Sequence, residues 1–190
     1  MAATAPSTLP ARIPLWRTTL SMFTNPQAVF QSQLTAVPAP LCLLVSGLAF
    51  ALFYLQTGLD LGKRDLPGIA HALDLGALGF AVGTLGVGLL AVGGWVLARP
   101  FGGSQPLGWA VRAFGLAYSP ALLYALLGLC ANLLLGWNTS LAFGVTGVLW
   151  ALGPMLVAIR EMAGQRTGVA VFIATICGAF TLAGWALIVR

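Results

Sequence analysis

The stretch Leu41–Leu59 reads LCLLVSGLAFALFYLQTGL and contains no charged residue. A helix rises about 1.5 Å per residue, so a run of about 20 apolar residues crosses a hydrocarbon core about 30 Å thick. This run therefore predicts a membrane-spanning helix. It ends in a polar break at Asp60, Lys63, Arg64 and Asp65. Four more stretches of the same kind follow: Leu75 to Ala98, closed by Arg99 and Pro100; Val111 to Leu135; Leu141 to Ile159, closed by Arg160 and Glu161; and Gly168 to Val189, before Arg190. β-Barrel strands would alternate polar and apolar residues over about ten positions, and these stretches do not.

Composition leads to the same class. Of the 190 residues, 59% are apolar and 7% charged, against about 45–50% and about 25% in soluble domains. A soluble fold of this size would lack the polar surface to cover itself, so the chain needs an apolar solvent. The expected fold is an all-α integral membrane protein, a bundle of five transmembrane helices preceded by a short interfacial amphipathic helix. Residues 1–40 are read as a cytoplasmic disordered tail with that helix, and 41–190 as the five-span domain. Prolines at Pro6, Pro10, Pro14, Pro26, Pro38 and Pro40 interrupt the first forty residues, so no cleavable signal peptide is expected. The first span doubles as the insertion signal.

Ahead of that span, apolar Trp16, Leu20, Phe23, Val29, Phe30 and Leu34 alternate with polar residues. Asn25 before Pro26 reads as a helix start, an N-cap oxygen followed by a residue whose missing N–H is no loss. Such a helix can lie in the headgroup plane with Phe30 and Leu34 inward, or pack on the bundle as an ordinary short helix. Pro120 and Pro154 are expected to kink the third and fourth spans. The connection Gly136–Ser140 is so short that those two spans must form an antiparallel hairpin.

Five spans put Arg12, Arg17, Arg99, Arg112, Arg160 and Arg166 on one side and Lys63, Arg64 and Arg190 on the other. The excess of basic residues predicts a cytoplasmic N-terminus and an extracytoplasmic C-terminus. Trp95, Trp109, Trp137 and Trp185 fall near predicted span ends, where amphipathic rings prefer to sit. Arg160 and Glu161 are adjacent and are read as a local pair. The net charge of +5 is scattered rather than striped, which argues against nucleic acid. Cys42, Cys130 and Cys177 lie in separate apolar stretches and read as packing residues.

Hydrolysis or group transfer asks for paired carboxylates, a nucleophile with a base, or a metal cage. The chain has four acidic residues and one histidine. His71 is read as sharing an outer loop with Asp60, Asp65 and Asp74, whose spacings of 5, 6 and 3 residues match no metal motif. No span contains a histidine to join Met155 or Met162 as a haem ligand. Asn132 is read as the single amide inside a span, and ionisable residues that would mark a transport path lie at span ends or outside. No catalytic, cofactor-binding or metal-binding residue is expected, and no enzyme activity.

The most regular feature is a row in the second span: Gly76, Gly79, Gly83, Gly86 and Gly93. Steps of three and four hold these on one helix face, and Gly79 with Gly83 forms G-x-x-x-G, which lets backbones approach closely. The row is either a self-association face or a packing face within one bundle.

Three segments carry a resemblance to a known family. Phe23-Thr24-Asn25-Pro26-Gln27-Ala28-Val29-Phe30, Ala117-Tyr118-Ser119-Pro120, and Trp150 followed by Ala158-Ile159-Arg160-Glu161-Met162-Ala163-Gly164 resemble the approach helix, third span and fourth-span exit of the Yip-domain (Ypt-interacting protein) family, in its bacterial-type branch. The similarity covers about residues 22–190. It implies a five-span protein with a cytoplasmic N-terminus and without known catalysis. Eukaryotic members bind Rab-type GTPases, but this chain lacks their acidic D-L-Y-G-P motif and long cytosolic domain, so GTPase binding is not carried over. The expected role is a membrane scaffold or trafficking-type protein of a bacterial cytoplasmic membrane. Its expected partners are membrane lipids and other membrane proteins or further copies of itself. The alternative is a small accessory subunit of a larger energy-converting or transport assembly.

Overall fold

In lipid every backbone N–H and C=O must be satisfied within its own segment, which leaves the helix as the form these apolar runs can take. The computed structural model describes residues 14–63 and 69–188, and no strand occurs among them. The tail over residues 1–13, including Arg12, and the positions Arg64, Asp65, Val189 and Arg190 lie outside the described residues. Five helical stretches are long and apolar enough to cross a membrane: Ala39–Gly62, Ala70–Phe101, Leu107–Leu135, Ser140–Met162 and Thr167–Leu187. The protein is an all-α, multi-span integral membrane protein.

Two short helices come first, α1 (Leu15–Thr24) and α2 (Pro26–Ser32). They meet at Asn25, whose side chain accepts the Ala28 N–H at 3.1 Å, with Pro26 at the first helical position. The predicted cap is therefore present, but it starts a second helix. The inner faces of the pair, Met22, Val29 and Phe30, are buried, as is Leu34 just beyond. They pack on the bundle: Phe30 tilts against Trp109 with centroids 5.7 Å apart, and Phe23 stacks on Trp150 at 5.5 Å. Trp150 lies twelve residues before Met162, or about 18 Å along its helix. The Phe23 corner thus reaches the middle of the fourth span, so the segment packs along the bundle as well as preceding it.

The first span is α3 (Ala39–Gly62), and it occupies the centre, packed on the second and third spans and the start of the fourth. The second span joins α4 (Ile69–Ala81) to α5 (Val87–Ala98) through a π turn at Val82–Gly86. Its 32 residues rise about 48 Å, so its ends pass beyond an apolar core of about 30 Å. That overhang corrects one expectation. His71 and Asp74 lie in α4 rather than in a loop, because hydropathy marks where lipid ends and not where the helix ends.

The third span breaks at Tyr118 into α6 (Leu107–Ala117) and α7 (Ser119–Leu135). Pro120 cannot supply an N–H to Leu116, four residues back, and the Ser119 hydroxyl donates to the Leu116 carbonyl instead, at 2.7 Å. A π turn at Ser140–Val145 leads into α8 (Thr146–Met162), which continues through Pro154 without a break. Gly136, at φ 68°, ends α7 in the left-handed conformation that glycine adopts at least cost, and α8 packs back on α7 as the predicted hairpin. The fifth span, α9 (Thr167–Ile188), lies at the periphery against α8 and α5.

The glycine row packs within the chain. A Cβ at Gly79 would meet the Phe50 carbonyl oxygen and Tyr54, and one at Gly83 would lie 2.5 Å from the Ser46 oxygen and 2.8 Å from Phe50 Cβ. Both positions face α3, so this face is occupied in a single copy. Gly93 meets nothing within 4 Å and does not share in the contact. Where the π turn disturbs the helical ladder, the Ser46 hydroxyl crosses from α3 to the Gly83 carbonyl at 2.7 Å, and Thr84 donates back to Phe80 at 2.8 Å. Intramembrane π turns need such partners, since no water reaches the displaced carbonyls.

Candidate functional site

The charged groups among the described residues collect at the two ends of the bundle and are used differently. At one end α3, α7 and the turn before α8 converge on Asp60. Asp60 belongs to the last turns of α3 and is 8% exposed, which corrects its expected place in a solvated loop. Its Oδ1 accepts from Asn132 Nδ2 at 2.6 Å, and its Oδ2 accepts the backbone N–H groups of Thr139 and Ser140, both at 2.8 Å. These two amides stand at the start of the fourth span. The carboxylate therefore acts as a helix cap supplied by a distant segment, where a negative charge also complements the helix dipole. Asn132 Nδ2 also donates to Thr139 Oγ1 at 3.1 Å.

Lys63 completes this clasp. Its Nζ lies 3.6 Å from Asp60 Oδ1 and donates to Asn132 Oδ1 at 3.0 Å and to the carbonyls of Gly136 and Trp137 at 3.2 and 2.7 Å. The ammonium has three protons, and protein acceptors surround it. Beside the clasp lies a crevice of about 340 Å³ whose lining includes Lys63, Asn132 and Ala72. Lys63 is exposed but held by protein acceptors on several sides, so the cluster's chemistry is that of a structural lock.

Mid-bundle polar groups tie helices together. Gln56 is fully buried in the first span and donates Nε2 to the Ala125 carbonyl at 2.7 Å. It is a second intramembrane amide beside Asn132, so the expectation of a single one was wrong. The signal was an amide within an otherwise apolar run. Trp185 donates Nε1 to Thr57 Oγ1 at 3.1 Å and stacks on Phe53 at 5.4 Å, while Tyr118 and Thr181 share a hydrogen bond at 3.3 Å. These contacts hold α9 on the bundle, so Trp185 serves as an inter-helix tie. Trp185 is half-buried and Trp109 buried, whereas Trp137 is exposed in its turn. The three cysteines are unpaired, with Cys42 and Cys177 buried and Cys130 exposed. Among the described residues, no three of His, Cys, Asp and Glu gather as a metal site.

The opposite end carries arginines. Arg99 lies over the Trp95 ring at 4.3 Å and Arg166 over Phe101 at 5.9 Å, and both are exposed. Trp95 donates to the Gln105 carbonyl at 2.9 Å, which pins the connecting loop beneath Arg99. Arg17 on α1 is exposed over Trp16 at 5.3 Å. Arg112 and Arg160 are half-buried, and their Nε atoms have no hydrogen-bond partner, nor has Glu161 Oε1. Arg160 and Glu161 do not form the expected ion pair; among the described residues Lys63–Asp60 is the only one. Consecutive helical residues point away from each other, which explains the difference.

No family model, no curated protein and no solved structure matches the chain.

Proposed function

We propose that this chain is a non-enzymatic multi-span membrane protein that organises protein partners or lipids at its arginine end. The observation that carries this reading is the contrast between the two ends. Lys63 and Asp60 are engaged with each other and with the turn they hold, whereas Arg99 and Arg166 are exposed, laid over aromatic rings and without an acidic partner among the described residues. Arginine on aromatic rings suits the headgroup layer, where each basic residue near an anionic surface contributes about 1 kcal/mol.

On the same reading the arginine end and the N-terminus are cytoplasmic, in a bacterial cytoplasmic membrane, following the bias of basic residues. The resemblance to the bacterial branch of the Yip-domain family supports the same class of role. Purification of the full chain in mild detergent, with every co-purifying chain identified, tests it. The expected result is a reproducible set of membrane proteins that is lost when Arg99 and Arg166 are replaced by Glu. A chain that purifies alone would refute partner organisation. A chain that is degraded when one of its co-purifying proteins is deleted would identify an accessory subunit instead.

A further inference from the structure

The seam between the second and fifth spans contains an apolar crevice of about 350 Å³, lined by Leu97, Phe101, Gly168, Val169, Phe172 and Ile173. Its volume falls in the lower part of the range for ligand pockets. Phe172 is 66% exposed, so the crevice opens sideways, toward the apolar solvent. A second crevice, of about 270 Å³, lies farther along the same pair of spans, between Leu90 and Phe180.

What singles out the first crevice is its mouth. Phe101 forms part of the wall and also carries the Arg166 guanidinium on its ring. Gly168, also in the wall, lies two residues beyond Arg166. Arg99, two residues before Phe101, lies instead over Trp95, on another face of the helix. One cation without an acidic partner among the described residues, Arg166, thus stands at the polar end of an apolar slot.

We propose that this seam holds one anionic glycerophospholipid, its phosphate on Arg166 and one acyl chain in the crevice along Phe172 and Ile173. Arginine provides several N–H donors for phosphate oxygens, and the charge-assisted bonds are the strong ones. A leaflet is about half of the 30 Å core, which corresponds to about ten helical residues from Gly168. The chain therefore runs down the crevice toward the middle of α9. The inference names a lipid for the arginine end described above. It rests on that reading only in placing this end in a headgroup layer.

The test uses the full chain in vesicles of phosphatidylglycerol and phosphatidylcholine at one to three, extracted in mild detergent, with retained lipid quantified by class. Wild type should retain phosphatidylglycerol over phosphatidylcholine at a ratio about fivefold above that of the vesicles, as about 1 kcal/mol from one surface basic residue allows. A Cβ at Gly168 meets nothing within 4 Å, so Gly168→Leu adds bulk at the crevice wall without a clash, and it should abolish the enrichment. Gly108→Leu, at an equally open position, should leave it intact. Arg166→Gln should return the retained ratio to that of the vesicles, and Arg99→Gln should leave the enrichment in place. Retention of both lipids by wild type at the vesicle ratio, or undiminished enrichment in Gly168→Leu, would overturn the proposal. Protein partners that persist in Gly168→Leu while the lipid is lost would separate this site from the partner reading.

Discussion

Asn132 donates its side-chain amide to the Asp60 carboxylate at 2.6 Å, joining the third span to the end of the first across 72 residues of sequence. The same carboxylate holds the Thr139 and Ser140 N–H groups, so its removal strands three buried donors and deprives Lys63 of its counter-ion. Asp60→Ala is expected to destabilise the bundle by about 3 kcal/mol. Asp60→Asn should cost less, because an amide oxygen still accepts. Thermal unfolding in detergent measures both. Equal, negligible losses would mean that water replaces the clasp.

The contact of Gly79 and Gly83 with α3 gives a second expectation. Leucine at either position must displace α3 backbone, since the obstructing atoms include the Phe50 and Ser46 carbonyl oxygens. Overpacking typically costs about 1–3 kcal/mol and more where backbone must move. Gly88 has nothing within 4 Å, so Gly88→Leu should fold as wild type. Monodisperse yield after purification distinguishes them, and similar yields from all three would show that α3 can give way.

Trp185 and Thr57 provide a third. Their hydrogen bond joins a peripheral helix to the central one, and such bonds in membranes average about 0.6 kcal/mol, reaching about 1.7. A double-mutant cycle with Trp185→Phe and Thr57→Val should give a coupling in that range, because phenylalanine preserves the stack on Phe53. Zero coupling would leave the stack as the whole contribution of Trp185.

The fourth expectation is topological. Five crossings place the two termini on opposite sides. With the arginine end cytoplasmic, a reporter fused after Arg190 should be extracytoplasmic and one at Met1 cytoplasmic. Both reporters on one side would mean that one of the five helices does not cross.

Several of these features are legible in the linear chain. Leu41–Leu59 declares a span because length and hydropathy are local properties. Asn25-Pro26 declares a helix start because a cap acts within three residues. Gly79 and Gly83 share a face because the helical period alone puts them there. His71 and Asp74 resemble a loop in the linear chain, since a helix that outruns the bilayer core has polar ends. Gln56 leaves little mark in the linear chain because one amide scarcely alters the hydropathy of its window.

The partners of those features belong to the tertiary structure alone. In water an apolar face marks what is buried, but a membrane helix is apolar both toward lipid and toward its neighbours. Hydropathy therefore determined that five helices span the membrane, and the helical period determined which side chains share a face. That the glycine row meets α3, that Asp60 caps a helix eighty residues away at Ser140, and that Trp185 reaches Thr57 depend on how the spans are arranged around one another. Close packing and polar pairing select that arrangement, and both act between segments far apart in sequence.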